Sequence, residues 1–506
     1  MAVLPTLDRA LVATQRDRLP VTTVGSLDPA PERVIQFGEG NFLRAFAEWH
    51  FHELIRRGLF RGRIIIVQPI ETGLADKLNS QQCVYTLLRR GLRDGCPVEE
   101  ADLITAVSRA VNPFTDFAEF MACARLRELR FMVSNTTEAG ISYKKVRKPE
   151  GACPETFPAK VALFLYERFR AFSGAPDRGL IILPCELIEQ NGLMLRQHIL
   201  FHAADWGLEP AFSDWVVRCN HFCDTLVDRI VPGHPVDEME TLSARLGYRD
   251  PMLVASELFH LWAIKGGSRV RRELPFDAAG LNVVWTDSLA PHRTLKVRIL
   301  NGLHTAFAIP TYLAGGNTVL DGLNDPLIHG FVTVALFEEI IPSMDVPEET
   351  AKEYAAAVLE RFRNPFIKHR LLAIAANSVS KYKVRVLPSV IRYHAKRHAA
   401  PPALSFALAA LISFYQGRRE APRSSIGRRL DSLYQIVDEP DVLDFFARRD
   451  DLYAGDRERL CREALGQTAF WGLDLNQVEG FPAAVIQAFE LIQGQGVRQA
   501  LGPIVR

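Results

Sequence analysis

An α/β half followed by a helical half is what this sequence predicts, and three observations carry the prediction. A short apolar run, Arg33–Phe37, leads directly into Gly38-Glu39-Gly40 and then into a helical pattern that reaches about Arg57. Further apolar runs at Arg63–Val67, Arg130–Ser134 and Leu180–Leu183 read as later strands. From Leu295 onward the periodicity is almost wholly helical.

Composition bounds the function. The chain has 506 residues, enough for two or more domains and a large core. Hydrophobic residues make up 48 % and charged residues 24 %, as in ordinary globular proteins. A net charge of +1 supplies no field for nucleic acid or an anionic membrane surface. No apolar run reaches the roughly 18 residues of a membrane span; the best stretch, Ala403–Tyr415, reads as a buried helix. The first residues carry Asp8, Arg9 and Arg16 without a long apolar segment, which argues against a secretory leader. The 8 cysteines are unevenly spaced and suit a reducing cytoplasm. Cys219-x-His221-x-Cys223 lacks a second ligand pair, so no metal site is expected there. His198 and His202 lack the glutamate of a zincin helix and read as surface or half-buried side chains.

Taken in order, residues 1–30 form an irregular arm with one short helix near Leu11. The strand–glycine–helix unit that follows has the layout of a Rossmann-like dinucleotide-binding domain. Gly38 permits the tight turn, Gly40 admits a pyrophosphate to the backbone, and the helix start offers amide donors. Ile35, Gln36, Phe37, Gly38, Gly40, Asn41, Phe42, Leu43 and Arg44 make up this candidate cofactor loop. Leu43 stands where a third glycine is usual, so a glycine turn with no ligand is the competing reading. The tip of the second strand is where such folds read the ribose. Glu71 in that region favours NAD over NADP, and an exposed loop glutamate is its alternative.

Ser134–Gly140 follows the next strand, with Thr136 and Glu138 facing a cofactor crevice or simply capping the next element. Pro184–Gly192 ends in Asn191-Gly192, on its own a turn. Asp228 accepts from a substrate hydroxyl or pairs with Arg229. Residues 233–290 read as an extension of the sheet. Periodicity breaks at 286–294, which sets a nucleotide domain at 1–290 and an all-α domain at 291–506, with the active site expected at the seam.

Lys296-Val-Arg-Ile-Leu-Asn301-Gly-Leu-His304 stands at that break. At helical period Lys296, Asn301 and His304 share one half of the wheel with Val297 and Leu300, and only Arg298 points away. A buried amine has its pKa pushed down and can trade protons near neutrality. An amide and an imidazole beside it can hold an oxygen meanwhile. A snorkelling lysine, a capping asparagine and a satisfied core histidine are the plainer reading. Further on, Arg361–His369 and Lys381–Arg385 are rich in cations. Arg363, Lys368, Lys381 and Arg385 are candidate carboxylate ligands, or parts of a solvated basic face.

Several of these stretches together resemble the long-chain polyol dehydrogenase family that includes mannitol dehydrogenases. Gly38, Gly40, Phe42, Arg44 and Ala45 match its Gly-x-Gly-x-Phe-x-Arg-Ala segment. Ser134–Ile141 is similar to its Thr-x-Thr-Glu-x-Gly signature, with Asn135 replacing the first threonine. Val227–Ile230 and Lys296-x-x-x-x-Asn301-x-x-His304 match as well, and the likeness runs from about Arg33 to beyond Pro388. The resemblance implies reversible hydride transfer between NAD(H) and a small keto-sugar acid, with tagaturonate and altronate as the pair in hexuronate breakdown. Fructuronate or fructose are the alternative substrates, and a non-enzymatic nucleotide sensor is a reading of another class. Lys296 becomes the general acid/base, Asn191 and Asn301 donate amides to the reacting oxygen, and His304 orients the lysine and a hydroxyl. Lys381 matches a family substrate lysine. The arginine expected eight residues before it is Ala373 here, a departure that fits a sugar acid better than mannitol. No metal is required, a cytoplasmic location is expected, and no oligomer is specified.

Overall fold

In a computed structural model of the chain, which describes residues 4–136, 139–452 and 456–505, two compact units divide between Leu289 and Ala290.

The first unit is built on six parallel strands: β1 (Glu32–Phe37), β2 (Arg63–Val67), β3 (Val107–Val111), β4 (Phe131–Ser134), β5 (Ile181–Pro184) and β6 (His221–Phe222). Their spatial order is β3-β2-β1-β4-β5-β6, with every neighbouring pair parallel. β2, β4 and β5 are buried along their whole length, as strands covered on both faces must be. The order reverses between β1 and β4, where Phe37 pairs with Ser134. In open α/β sheets, ligands bind beyond the strand ends at such a reversal.

The helix expected to run from the glycine turn to Arg57 is two helices, α1 (Asn41–Ala45) and α2 (Ala47–Arg56). They meet at Phe46, whose backbone leaves the helical region at φ −124° and ψ −83°. Its ring lies against Phe42 at 5.0 Å and Trp262 at 5.2 Å.

The segment 233–290 does not extend the main sheet. Val254–Glu257 joins a separate sheet with Tyr85–Arg93, Cys96–Ile104 and Thr23–Val24. Leu261–Lys265 is the central strand of a third sheet, pairing with Asp224–Asp228 on one side and Val283–Trp285 on the other. The ribbon Tyr85–Ile104 turns at Asp94-Gly95, both at positive φ, which is the turn chemistry of a tight hairpin.

The second unit is mostly helical but not all-α. Gly417–Ala421, Ser424–Arg429 and Ser432–Val437 form a three-stranded antiparallel sheet. Ile426 is half-buried while Tyr434 and Ile436 are fully buried, and the arginines between them hide this short alternation from a helical reading.

One helical run among the described residues, Pro326–Ser343, is long and apolar enough by length and composition to cross a membrane, and half of it is buried inside the structure. It corrects the reading of Ala403–Tyr415 as the best such stretch. All eight cysteines are free thiols, and only Cys96 is fully exposed.

Candidate functional site

In the first unit the cofactor loop is a stitched turn. Gly38 has φ +119°, and a Cβ there would lie 2.9 Å from the Asn135 carbonyl oxygen, so the turn tolerates only glycine. Gly40 is exposed, and a Cβ there would meet nothing within 4 Å. Open space in front of a glycine at a sheet reversal is what a pyrophosphate needs for close approach. The side chains around it are largely committed to packing. Ile35, Phe37 and Leu43 are in the core. Gln36 is buried and donates to Gly38 O (2.8 Å) and Glu48 Oε1 (2.7 Å). Arg44 is buried and donates to Glu39 O (3.2 Å), Asn41 Oδ1 (2.7 Å) and Met252 O. Its guanidinium therefore braces the loop, and the residue does not offer the charge that a match to a cofactor motif suggests. Only Gly40, Asn41 and Phe42 leave the turn open to a ligand.

At the tip of β2, Glu71 is exposed, and the structural work falls to Gln68. Gln68 donates to Ile70 O (2.8 Å) and Glu71 O (2.9 Å) and accepts from Ala75 N (3.2 Å). It folds the 68–75 loop back on itself. Beyond β4, Thr136 donates its amide and hydroxyl to Glu186 Oε1 (3.0 Å each), and Ser134 donates to Glu186 Oε2 (3.0 Å). Burial raises the Glu186 carboxyl above its usual range despite these donors. Sequence reading gave Glu186 no role, although an acid directly after a strand's carboxyl end marked it. Glu138 lies outside the described residues.

Asn191 is buried, and its amide is already spent. Nδ2 donates to Pro184 O (3.0 Å), Glu186 O (3.0 Å) and Thr225 O (3.1 Å), while Oδ1 accepts from Gly192 N (3.0 Å) and Thr225 N (2.9 Å). It pins the loop after β5 to the next strand; the structure leaves it no spare donor for a reacting oxygen. Asp228, the last residue of its strand, is buried. Arg229, the next residue, donates to Ala45 O (2.6 Å) and Glu257 O (2.9 and 3.1 Å). His198 and His202 are both buried, against the surface reading, under the Tyr143 ring. Among the described residues no group of His, Cys, Asp and Glu could hold a metal.

In the second unit the Lys296–Asn301 segment is a π-helix that runs into α3 (Gly302–Leu313). Gly302 N donates to Val297 O, an i→i+5 closure. The wider turn stacks residue i over i+5, so Lys296 and Asn301 come closer to one face than an α-helical wheel allows. Both are half-buried, while Ile299 and Leu300 enter the core. Arg298 does not point away into water. Its guanidinium donates to Ser389 Oγ (2.6 Å) and Ser343 Oγ (2.9 Å), and burial lowers its pKa to about 10.

One turn on, His304 is buried and stacks on Phe362 at 4.0 Å and 19°, with His369 edge-on at 4.9 Å. Its Nε2 is buried without a hydrogen-bond partner. Burial, then the charges of His369, Arg361, Arg385 and Lys381, push its pKa well below the usual value, so the ring is neutral. Two more helices bring these groups in. Glu348–Phe362 (α4) ends with buried Arg361 and Phe362, and Ser378–Arg385 (α5) carries Lys381 and Arg385. Lys381 donates to Ile374 O (2.8 Å); burial and Arg385 lower it to about 8. Arg363, by contrast, is exposed and bonded to His329 (2.8 Å), and Lys368 is exposed. His369 lies beside His304, and Arg361, two positions before Arg363, is buried; neither is among the residues the sequence singles out as carboxylate ligands. A buried position at i−2 from an exposed arginine on an amphipathic helix was the signal available.

Comparison with known proteins places these features. The mannitol dehydrogenase Rossmann domain model matches residues 32–277, and the mannitol dehydrogenase C-terminal domain model matches 288–493. An altronate oxidoreductase of Klebsiella pneumoniae is 42 % identical over 481 residues, covering 94 % of this chain and 97 % of that protein. One from Halalkalibacterium halodurans is 40 % identical over 479 residues, covering 94 % and 93 %. Among solved structures, a D-sorbitol dehydrogenase in substrate-free form superposes with a TM-score of 0.79 at 21 % identity, covering 98 % of this chain and all of that one. A Pseudomonas fluorescens mannitol 2-dehydrogenase, solved with NAD and D-mannitol, gives 0.72 at 19 % over 99 % of both chains.

Proposed function

Because the chain belongs to the mannitol dehydrogenase family, we propose that it is a cytoplasmic NAD-dependent oxidoreductase that interconverts D-tagaturonate and D-altronate. The observation that supports this substrate most is the 40–42 % identity, over more than nine-tenths of both chains, to proteins named altronate oxidoreductase.

The first unit would hold the dinucleotide, with its pyrophosphate against Gly40 in the turn that Gly38 permits and its ribose near the 68–75 loop. The bound nicotinamide supplies or accepts the hydride. The second unit handles the proton. As the ketone is reduced, negative charge grows on its oxygen, and Lys296 donates a proton to it; in the oxidation direction the amine takes that proton back. Asn301, brought round by the π-turn, aims an amide N–H at the same oxygen. Neutral His304 orients a neighbouring hydroxyl. Asn191 acts by holding the loop after β5 in place, since its amide hydrogens are engaged.

NADH oxidation with D-tagaturonate, D-fructuronate and D-fructose tests the reading. Tagaturonate is expected to have the highest kcat/KM. A higher value for fructuronate would reassign the enzyme to the epimeric acid, and a higher value for fructose would overturn the sugar-acid reading.

A further inference from the structure

We propose that Glu39, the residue between the two glycines of the turn, is the acid that makes this site prefer NAD to NADP. The proposal rests on the reading above, in which the dinucleotide lies against Gly40 and its ribose near the 68–75 loop.

The first support is a substitution in the usual place. A Rossmann fold reads the ribose just past its second strand, where an acid accepts from the 2′-hydroxyl and repels a 2′-phosphate. The residue that follows β2 in this chain is a neutral amide, Gln68. That amide is committed to its own loop: it donates to Ile70 O and Glu71 O and accepts from Ala75 N. The acids further along, Glu71 and Asp76, are exposed. Water and salt screen a charge held there.

The second support is position. Glu39 belongs to the turn after β1, yet its side chain reaches the loop after β2, where Oε1 accepts from Leu74 N (3.4 Å). The parallel pairing of β1 with β2, which sets Phe37 beside Val67, brings the two strand ends together. A Cβ on Gly73 would stand 2.2 Å from Glu39 Oε1 and 2.5 Å from Gln68 Oε1. Gly73 itself is exposed. The two side chains therefore meet at one point of the loop, and a carboxyl group arrives from the glycine turn at the place where the strand's own acid is replaced.

The third support is the setting of that carboxyl group. Glu39 is buried. Burial raises its pKa, and its own amide, Leu74 N and Arg44 draw it back down. Arg44 is not reserved for it. The same guanidinium acts on the buried carboxyl of Glu48, and its N–H groups go to Glu39 O, Asn41 Oδ1 and Met252 O. A charge partly withdrawn from water acts on its neighbours more strongly than one in bulk solvent.

The test is equilibrium titration with NADH and with NADPH, followed by the fluorescence of the dinucleotide. It compares wild type, Glu39→Gln, Gly73→Ala, Glu71→Gln and Asp76→Asn, with circular dichroism to check folding. Wild type is expected to bind NADH the more tightly. Glu39→Gln keeps an oxygen for Leu74 N and removes the charge. It is expected to lower the ratio of the NADPH Kd to the NADH Kd by about tenfold or more. Gly73→Ala crowds the same carboxyl group and is expected to give a smaller fall of the same sign. Equal weakening of both dinucleotides in Glu39→Gln would make the residue a loop brace only and overturn the proposal. A fall of the ratio in Glu71→Gln or Asp76→Asn, with none in Glu39→Gln, would overturn it too. If Glu39→Gln does not fold, an unchanged ratio in Gly73→Ala overturns it. A wild type that binds both dinucleotides equally overturns the role of Glu39 and leaves the nucleotide site standing. A wild type that binds neither overturns the site, and the role of Glu39 with it.

Discussion

A Cβ placed on Gly302 would come within 2.9 Å of the Arg385 carbonyl oxygen and 3.3 Å of the Val297 carbonyl oxygen. The first helical turn after the π-segment thus lies directly on the backbone of the helix that carries Lys381. In an ordinary helix, glycine to alanine is a stabilising change of about 1 kcal/mol. Here the obstacle is main chain, which cannot swing aside. Gly302→Ala is expected to destabilise by about 1–3 kcal/mol and to lower kcat about a hundredfold, the loss typical of displacement by an ångström. Denaturant unfolding and steady-state rates check both, and a more stable, fully active variant would refute the contact's importance.

Lys296→Met tests the proton donor directly. General acid–base groups contribute about 10²- to 10⁴-fold, and a loss of kcat in that range is expected. NADH affinity is expected to stay within a few-fold, since the dinucleotide is assigned to the first unit. A variant that retained most of its rate would move the proton to another group.

The pH dependence of substrate affinity follows from Lys381. Burial and Arg385 bring its pKa down to about 8, so it is cationic at pH 7 and largely neutral by pH 9. KM for the acid is therefore expected to rise across that interval, and Lys381→Met is expected to flatten the rise. For stability the sign is opposite. The unfolded chain, with a pKa near 10.5, binds more protons than the folded one between pH 8 and 10.5, so this group's contribution to stability increases with pH there. A KM profile unchanged by the substitution would detach Lys381 from the bound anion.

Glu339 gives a second pH prediction, away from the reaction. It sits in a π-helix, Val334–Ile340, and accepts from Ala403 N (2.6 Å) and Leu404 N (2.8 Å) at the start of helix Pro402–Phe414. Burial raises its pKa to about 8. A folded pKa above the unfolded value means the stabilisation is complete below about pH 4.5 and declines as pH rises toward 8. Glu339→Gln is expected to remove that part of the slope in chemical unfolding curves taken from pH 5 to 8. An identical slope would place the titration elsewhere.

The parts of the fold legible in the sequence were those with strong local signals. Arg33–Phe37 running into Gly38 announced both the parallel sheet and the place where it reverses. The helical stretches after Leu295 were equally plain. The ribbon Tyr85–Ile104 was missed although Asp94-Gly95 marks its turn, because its strands mix arginines with apolar residues and form ion pairs on one face (Arg89 with Glu100 and Asp102). In the site, residue type was readable and hydrogen-bond commitment was not. Asn191 and Arg44 look like ligands in one dimension, and their donors are satisfied by carbonyls contributed from distant parts of the chain. Arg361 and Arg363 differ by two positions on one helix, and only packing decides which is buried. A wheel drawn at 3.6 residues per turn also misplaced Arg298, because the turn it lies in is wider than that.

An i→i+5 turn is what an α-helix becomes when it absorbs one additional residue without unwinding. Deleting a single position between Val297 and Leu300 would regularise the ladder while leaving α3 and its packing untouched. The same deletion would leave Lys296 four positions from Asn301 and about 40° round the axis from it, by the 3.6-residue period, so the pair would keep one face. Straightening the segment with every residue kept is what would part them, setting Lys296 and Asn301 about 140° from one another.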